Sequence, residues 1–177
     1  MVMRRKTKGK FIFVLNGAAG AGKDTFVLFL KFLGVKVQKE SSIDKVKEVA
    51  TLCGWDGSKT ERNRKFLSDL KALTNAYNDM SFVDICKKVK EFTSNRNFNV
   101  LCIDIREPDQ IERAKKAFGA ITVLIENDRV DILTSNESDA HVLDYEYDYI
   151  VKNNGSVEDF LEETKKFVSY FGLEDLS

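Results

Sequence analysis

The sequence contains one histidine, one proline, one tryptophan and three cysteines in 177 residues. His141 has too few partners of its own kind to nucleate a zinc site. Cys53, Cys86 and Cys102 are odd in number, widely spaced and form no C-x-x-C. They are expected to be reduced and mostly buried, not a disulfide or metal framework. An excess of one charge is also missing, since 28 Lys+Arg balance 28 Asp+Glu. Overall charge therefore gives no argument for a nucleic-acid partner. No apolar run approaches the roughly 20 residues that span a bilayer. The run Phe-Ile-Phe-Val-Leu at 11–15 follows Arg4, Arg5, Lys6, Lys8 and Lys10, but it is too short for a signal peptide, and Lys23 and Asp24 follow it closely. The basic lead reads as solvated surface, and a cytoplasmic protein with no membrane contact is expected.

What is present is an ordinary globular composition, 43% hydrophobic and 32% charged, in a length that suits one domain over residues 1–177. Short β-rich runs at 11–16, 35–39, 99–105, 120–125 and 147–152 alternate with helical patterns. Phe26, Phe29, Leu30 and Leu33 recur at helical spacing, as do Phe66, Leu70, Leu73 and Tyr77. Val157, Phe160, Leu161, Thr164 and Val168 do so again after Asn153-Asn154-Gly155-Ser156, with Ser156 as N-cap. The alternation predicts an α/β fold with a parallel sheet covered by helices on both faces. Residues 41–95 read as a helical insertion and 126–146 as a long polar loop, and there is no internal repeat.

The chemistry concentrates in Gly17-Ala18-Ala19-Gly20-Ala21-Gly22-Lys23, which satisfies G-x-x-x-x-G-K between an apolar strand and an amphipathic helix. Small residues let backbone N–H groups surround phosphates, the helix N-terminus adds its positive end, and Lys23 supplies a mobile charge. Such loops place Ser or Thr after the lysine to bind Mg²⁺. Here Asp24 holds that position and Thr25 follows. Asp24 either ligates Mg²⁺, directly or through water, or only complements the helix dipole. Val100-Leu-Cys-Ile-Asp104 is an apolar strand ending in a second candidate carboxylate for Mg²⁺. Arg106 would lie at the same ligand-bearing edge, or close a surface salt bridge, just ahead of Pro108 at a helix start. Lys59, Arg62, Arg64 and Lys65 form a basic turn suited to a second phosphate, and Arg129 in the polar loop is a candidate lid arginine.

The motifs GAAGAGKDT (17–25), IDIREPDQIE (103–112), SNESD (135–139) and YDYIVKNNGSVEDFLEE (147–163) together resemble the P-loop deoxynucleoside monophosphate kinases of phages and bacteria. The Lys-Asp-Thr loop is also similar to that of phosphomevalonate kinases. The resemblance implies a five-stranded parallel sheet in the order 2-3-1-4-5. It implies an acceptor-binding arm at 41–95, a lid at 126–146, and Asn153, Asn154 and Gly155 beside the donor adenine. Arg64 would hold the acceptor phosphate, with ATP and Mg²⁺ as cofactors and small nucleotides as substrates of a monomer or homodimer. The rival readings are a kinase of another small phosphorylated metabolite and a nucleotide-binding protein without transfer activity.

Overall fold

The computed structural model describes residues 9–130 and 142–174. The expectations placed on Arg4, Arg5, Lys6, Lys8, residues 135–139 and His141 lie outside these, as does the middle of the 126–146 loop. Strands β1 (Phe11–Asn16), β2 (Val37–Ser41), β3 (Val100–Asp104), β4 (Ile121–Glu126) and β5 (Tyr149–Lys152) form one parallel sheet in the order β2-β3-β1-β4-β5. Helix α1 (Lys23–Phe32) follows β1, and α2 (Asp44–Leu52), α3 (Glu61–Asn78) and α4 (Met80–Ser94) lie between β2 and β3. Helix α5 (Pro108–Phe118) crosses to β4, and α6 (Val157–Phe171) closes the described chain. The expected α/β architecture and strand order are both present.

Alternation along the strands builds two cores. Phe13, Leu15, Val100, Cys102, Val123, Ile125 and Val151 face α1 and α6. Val14, Leu101 and Ile103 face the opposite way, toward Ile85 and Phe92 of α4 and Ile111 and Ala114 of α5. The first core is aromatic at its centre. The Phe167 ring lies 4.9 Å from Phe13 and 5.1 Å from Phe26, both edge to face. Helix ends match their sequence signals. Pro108 starts α5 and Gly119 ends it, while Ser156 and Asp159 close a capping box at the start of α6.

Two expectations shift. The second strand begins at Val37, not residue 35, because the Val35 N–H still bonds back to the Leu30 carbonyl at the end of α1. Cys102 is buried, but Cys86 is only half-buried and Cys53 is exposed at the end of α2. The α3 stripe is helical as its spacing predicts, but it runs off the molecule. Phe66 and Leu70 are half-buried, whereas Leu73 and Tyr77 are exposed, because α3 packs chiefly on α2 and α4 and stands away from the sheet. The arm is nevertheless anchored. Asp79, at φ 56° between α3 and α4, takes a two-pronged bond from Arg113 of α5, and that guanidinium stacks on Phe82.

Phe167→Ala should cost about 3–5 kcal/mol in denaturant unfolding, since it empties the aromatic centre. Asp148, just before β5, accepts from the Thr122 N–H and Oγ1 (both 2.9 Å) and from Lys115 (2.7 Å). Partial burial opposes its charge, but these donors outweigh burial and hold the carboxyl below its usual range. A depressed folded-state pKa stabilises above the unfolded value and is lost as pH falls through the folded one. Asp148→Asn should therefore cost about 1 kcal/mol at neutral pH. Its deficit against the native chain should close as unfolding is followed down through the carboxylate range.

Candidate active site

Parallel pairing fixes the site before any side chain does. Leu15 of β1 lies opposite Asp104 of β3, and Ser41 of β2 lies opposite Asp104 on its other side. The carboxyl ends of three neighbouring strands thus meet where β1 runs into the glycine loop. Gly17 can have no side chain, because a Cβ there would lie 2.5 Å from the Ile125 carbonyl oxygen. Gly22 caps α1 at φ 109°, and a Cβ there would lie 2.6 Å from Asn153 Nδ2. Between them Ala18, Ala19, Gly20 and Ala21 keep the loop small. Lys23 curls back over it, donating to the carbonyls of Gly17 (2.5 Å) and Ala18 (3.0 Å).

Asn16 is the polar residue that holds the base of this loop. It is fully buried, its Oδ1 accepts from the Gly17 N–H (2.8 Å), and its Nδ2 donates to the Arg106 carbonyl (3.2 Å) and Tyr147 Oη (2.7 Å). Tyr147 in turn donates to the Val142 carbonyl, and burial pushes its phenol up to about 12. Nothing in the motif pointed to Asn16. Its signal was an amide at the end of an apolar strand, directly before the first loop glycine.

The two candidate metal carboxylates come together, and a third residue joins them. Lys39, from β2, bonds Asp24 and reaches Asp104 at 3.2 Å. Asp24 is well exposed on the first turn of α1, while Asp104 is largely covered and its Oδ1 has no hydrogen-bond partner among the described residues. The Lys39 ammonium holds the Asp24 carboxyl below its usual range. Burial pushes Asp104 up, partly offset by Lys39 and Lys23. Burial also works against the Lys39 charge, but the two carboxylates outweigh it and raise its pKa. Thr25 is half-buried on the same helical turn. Among the described residues no cluster of three metal-ligating side chains exists. A pair of carboxylates, one with an unsatisfied buried oxygen, suits an ion that is held by one or two carboxylates plus phosphates and water.

The base-side candidates also converge. Asn153 Nδ2 donates to the Ala21 carbonyl (2.8 Å), tying the β5–α6 turn to the glycine loop. Asn154 and Asp128 exchange hydrogen bonds of 2.6 and 2.9 Å, and Gly155 precedes the α6 cap. Arg129, exposed, donates to the Asn153 carbonyl (3.0 Å) and so sits at this turn. Arg64 is exposed on the first turns of α3, and Arg106 is half-buried beyond the Asp104 strand end. Of the basic turn, Lys65 closes a surface pair with Asp69, while the charge of Lys59 reaches Asp24. The arm itself is bound to the sheet edge by mostly covered lysines that the motifs did not mark. Lys71 pairs with Glu107 (2.6 Å), and Lys88 meets Glu40 (2.8 Å), Asp44 (3.1 Å) and Asp84 (3.2 Å).

A parallel sheet in this order, with the glycine loop after its central strand, is a three-layer α/β fold of the P-loop type. Solved structures agree. The chain is similar to TT1252 from Thermus thermophilus, at 17% identity and TM-score 0.53, covering 92% of this chain and 97% of that one. It is similar also to dephospho-CoA kinase from Campylobacter jejuni, at 15% identity and TM-score 0.52, covering 92% and 97%. No protein-family profile matches the chain, and no curated protein sequence does. Among the described residues no helix is long and apolar enough to cross a membrane.

Gly22→Ala forces a left-handed alanine against Asn153 and Phe160, so it should lower stability by about 1–3 kcal/mol and remove the ATP binding expected from the loop's sequence. Thermal unfolding and a fluorescent-ATP titration check both halves. Tight ATP binding by this variant would show that the Gly22–Asn153 approach does not shape the loop.

Proposed function

We propose that the protein transfers the terminal phosphoryl group of Mg²⁺-ATP to a (deoxy)nucleoside monophosphate, giving the diphosphate. The observation that carries this reading is the meeting of a complete phosphate loop with the Asp24–Asp104 pair at one sheet edge. Phosphoryl transfer asks a protein for positioning and charge neutralisation more than for covalent chemistry. Lys23 would exchange its loop carbonyls for the β and γ oxygens. Asp24, with Thr25, and Asp104 would hold the metal, directly or through water. Mg²⁺, when bound with the nucleotide, supplies charge neutralisation at the phosphates. Asn153, Asn154 and Gly155 would flank the donor base. Arg64 on the arm would hold the acceptor phosphate, and Arg106 and Arg129 would supply charge at the transferring group, Arg129 after leaving the Asn153 carbonyl.

A kinase of another phosphorylated metabolite is the second reading. It is favoured by the Lys-Asp-Thr loop and by the likeness to dephospho-CoA kinase. A protein that binds nucleotide without transfer is the third. It predicts tight ATP binding with no ADP formed whatever the acceptor.

Lys23→Ala should lower transfer by at least about a hundredfold while leaving the fold intact by far-UV circular dichroism. Full transfer activity in that variant would contradict the proposed role of the loop.

A further inference from the structure

Lys39 belongs to no motif, yet its ammonium lies between the two carboxylates proposed for the metal, bonding Asp24 and reaching Asp104. It comes from β2, two residues before the position paired with Asp104, so the sheet register and not a mobile loop delivers it. Its side chain is three-quarters covered. We propose that Lys39 is a resident counter-ion of the metal site. It keeps Asp24 and Asp104 together while no metal is present, and it opposes the binding of free divalent cations. This rests on the reading of Asp24 and Asp104 as metal carboxylates.

The physical argument is a competition for the same oxygens. Two carboxylates from different elements repel, and the ammonium between them removes that repulsion. A free divalent cation must displace or face this positive charge, and the displaced ammonium gains no new anionic partner. A nucleotide-bound cation arrives with polyphosphate oxygens, which can accept from the released lysine. Metal loading is thereby coupled to nucleotide loading. Lys39 acts through the carboxylates, so it is a positioning residue. The unpartnered Asp104 Oδ1 is the oxygen that a metal gains without displacing any hydrogen bond among the described residues.

The test titrates Mn²⁺ into the nucleotide-free full chain and reads free Mn²⁺ by electron paramagnetic resonance. Lys39→Gln and Lys39→Met should bind Mn²⁺ at least about tenfold tighter than the native chain, the loss of a charge-assisted competitor. Lys39→Arg, which keeps the charge, should stay as weak as the native chain. Adding Asp104→Asn to Lys39→Gln should erase the gain. Lys59→Gln, whose charge reaches Asp24 without a contact, should change affinity by less than about threefold. Using two neutral variants, each checked for a native melting transition, guards against a folding defect in one. If folded Lys39→Gln or Lys39→Met binds Mn²⁺ no tighter than the native chain, while Mn²⁺ still strengthens ATP binding, the counter-ion role is overturned and the metal site stands. If Mn²⁺ does not change ATP affinity in the native chain, the metal reading and this proposal fall together.

Discussion

The side-chain amide of Asn16 is the interaction on which the site depends. It has no exposed surface, so each of its polar atoms must find a protein partner or cost stability. It finds them in three places: the first N–H of the glycine loop, the backbone beyond the Asp104 strand, and the hydroxyl of Tyr147. Those partners belong to segments far apart in sequence. One buried amide therefore fixes the loop, the strand-end acid and the approach to β5 in a common frame. The apolar strands around it make that frame stiff, since Val14 and Leu15 bury both faces of β1 against separate cores.

Around this frame the charges divide by burial. Lys65–Asp69, Lys165–Glu162 and Lys166–Glu163 are exposed helix pairs, each of little energetic weight in water. Lys39, Lys71 and Lys88 are mostly covered, and each meets carboxylates from other elements. Breaking one of those would strand a charge in a poorly solvated place, which costs far more than a surface pair. Lys71 and Lys88 thus staple the inserted arm to the sheet edge. Lys39 differs from them in that its carboxylates, Asp24 and Asp104, are the pair proposed for the metal.

The fold was legible because its signals are local and periodic. The apolar runs of β1 and β3, the glycine loop, Pro108 and the Ser156 cap each act within a few residues, and each lies where its pattern put it. The order of strands came from resemblance and not from periodicity. Strand β2 slipped by two residues because Val35 is apolar yet spends its N–H on the end of α1. The stripe of α3 is helical as its spacing predicts, but its burial was not legible. Helical spacing reports amphipathicity but not which neighbour exists, and Leu73 and Tyr77 face solvent. Asn16, Lys39 and Lys88 were missed for a related reason. Their roles arise from pairing across the sheet and from side chains 15 or more residues apart, which no single motif encodes.

The most direct test is ADP formation from Mg²⁺-ATP against all ribo- and deoxyribonucleoside monophosphates, with phosphomevalonate and dephospho-CoA alongside. Turnover with one or a few nucleoside monophosphates, and with neither other acceptor, is the predicted result. Turnover confined to a non-nucleotide acceptor, or tight ATP binding with no ADP from any of them, would contradict it.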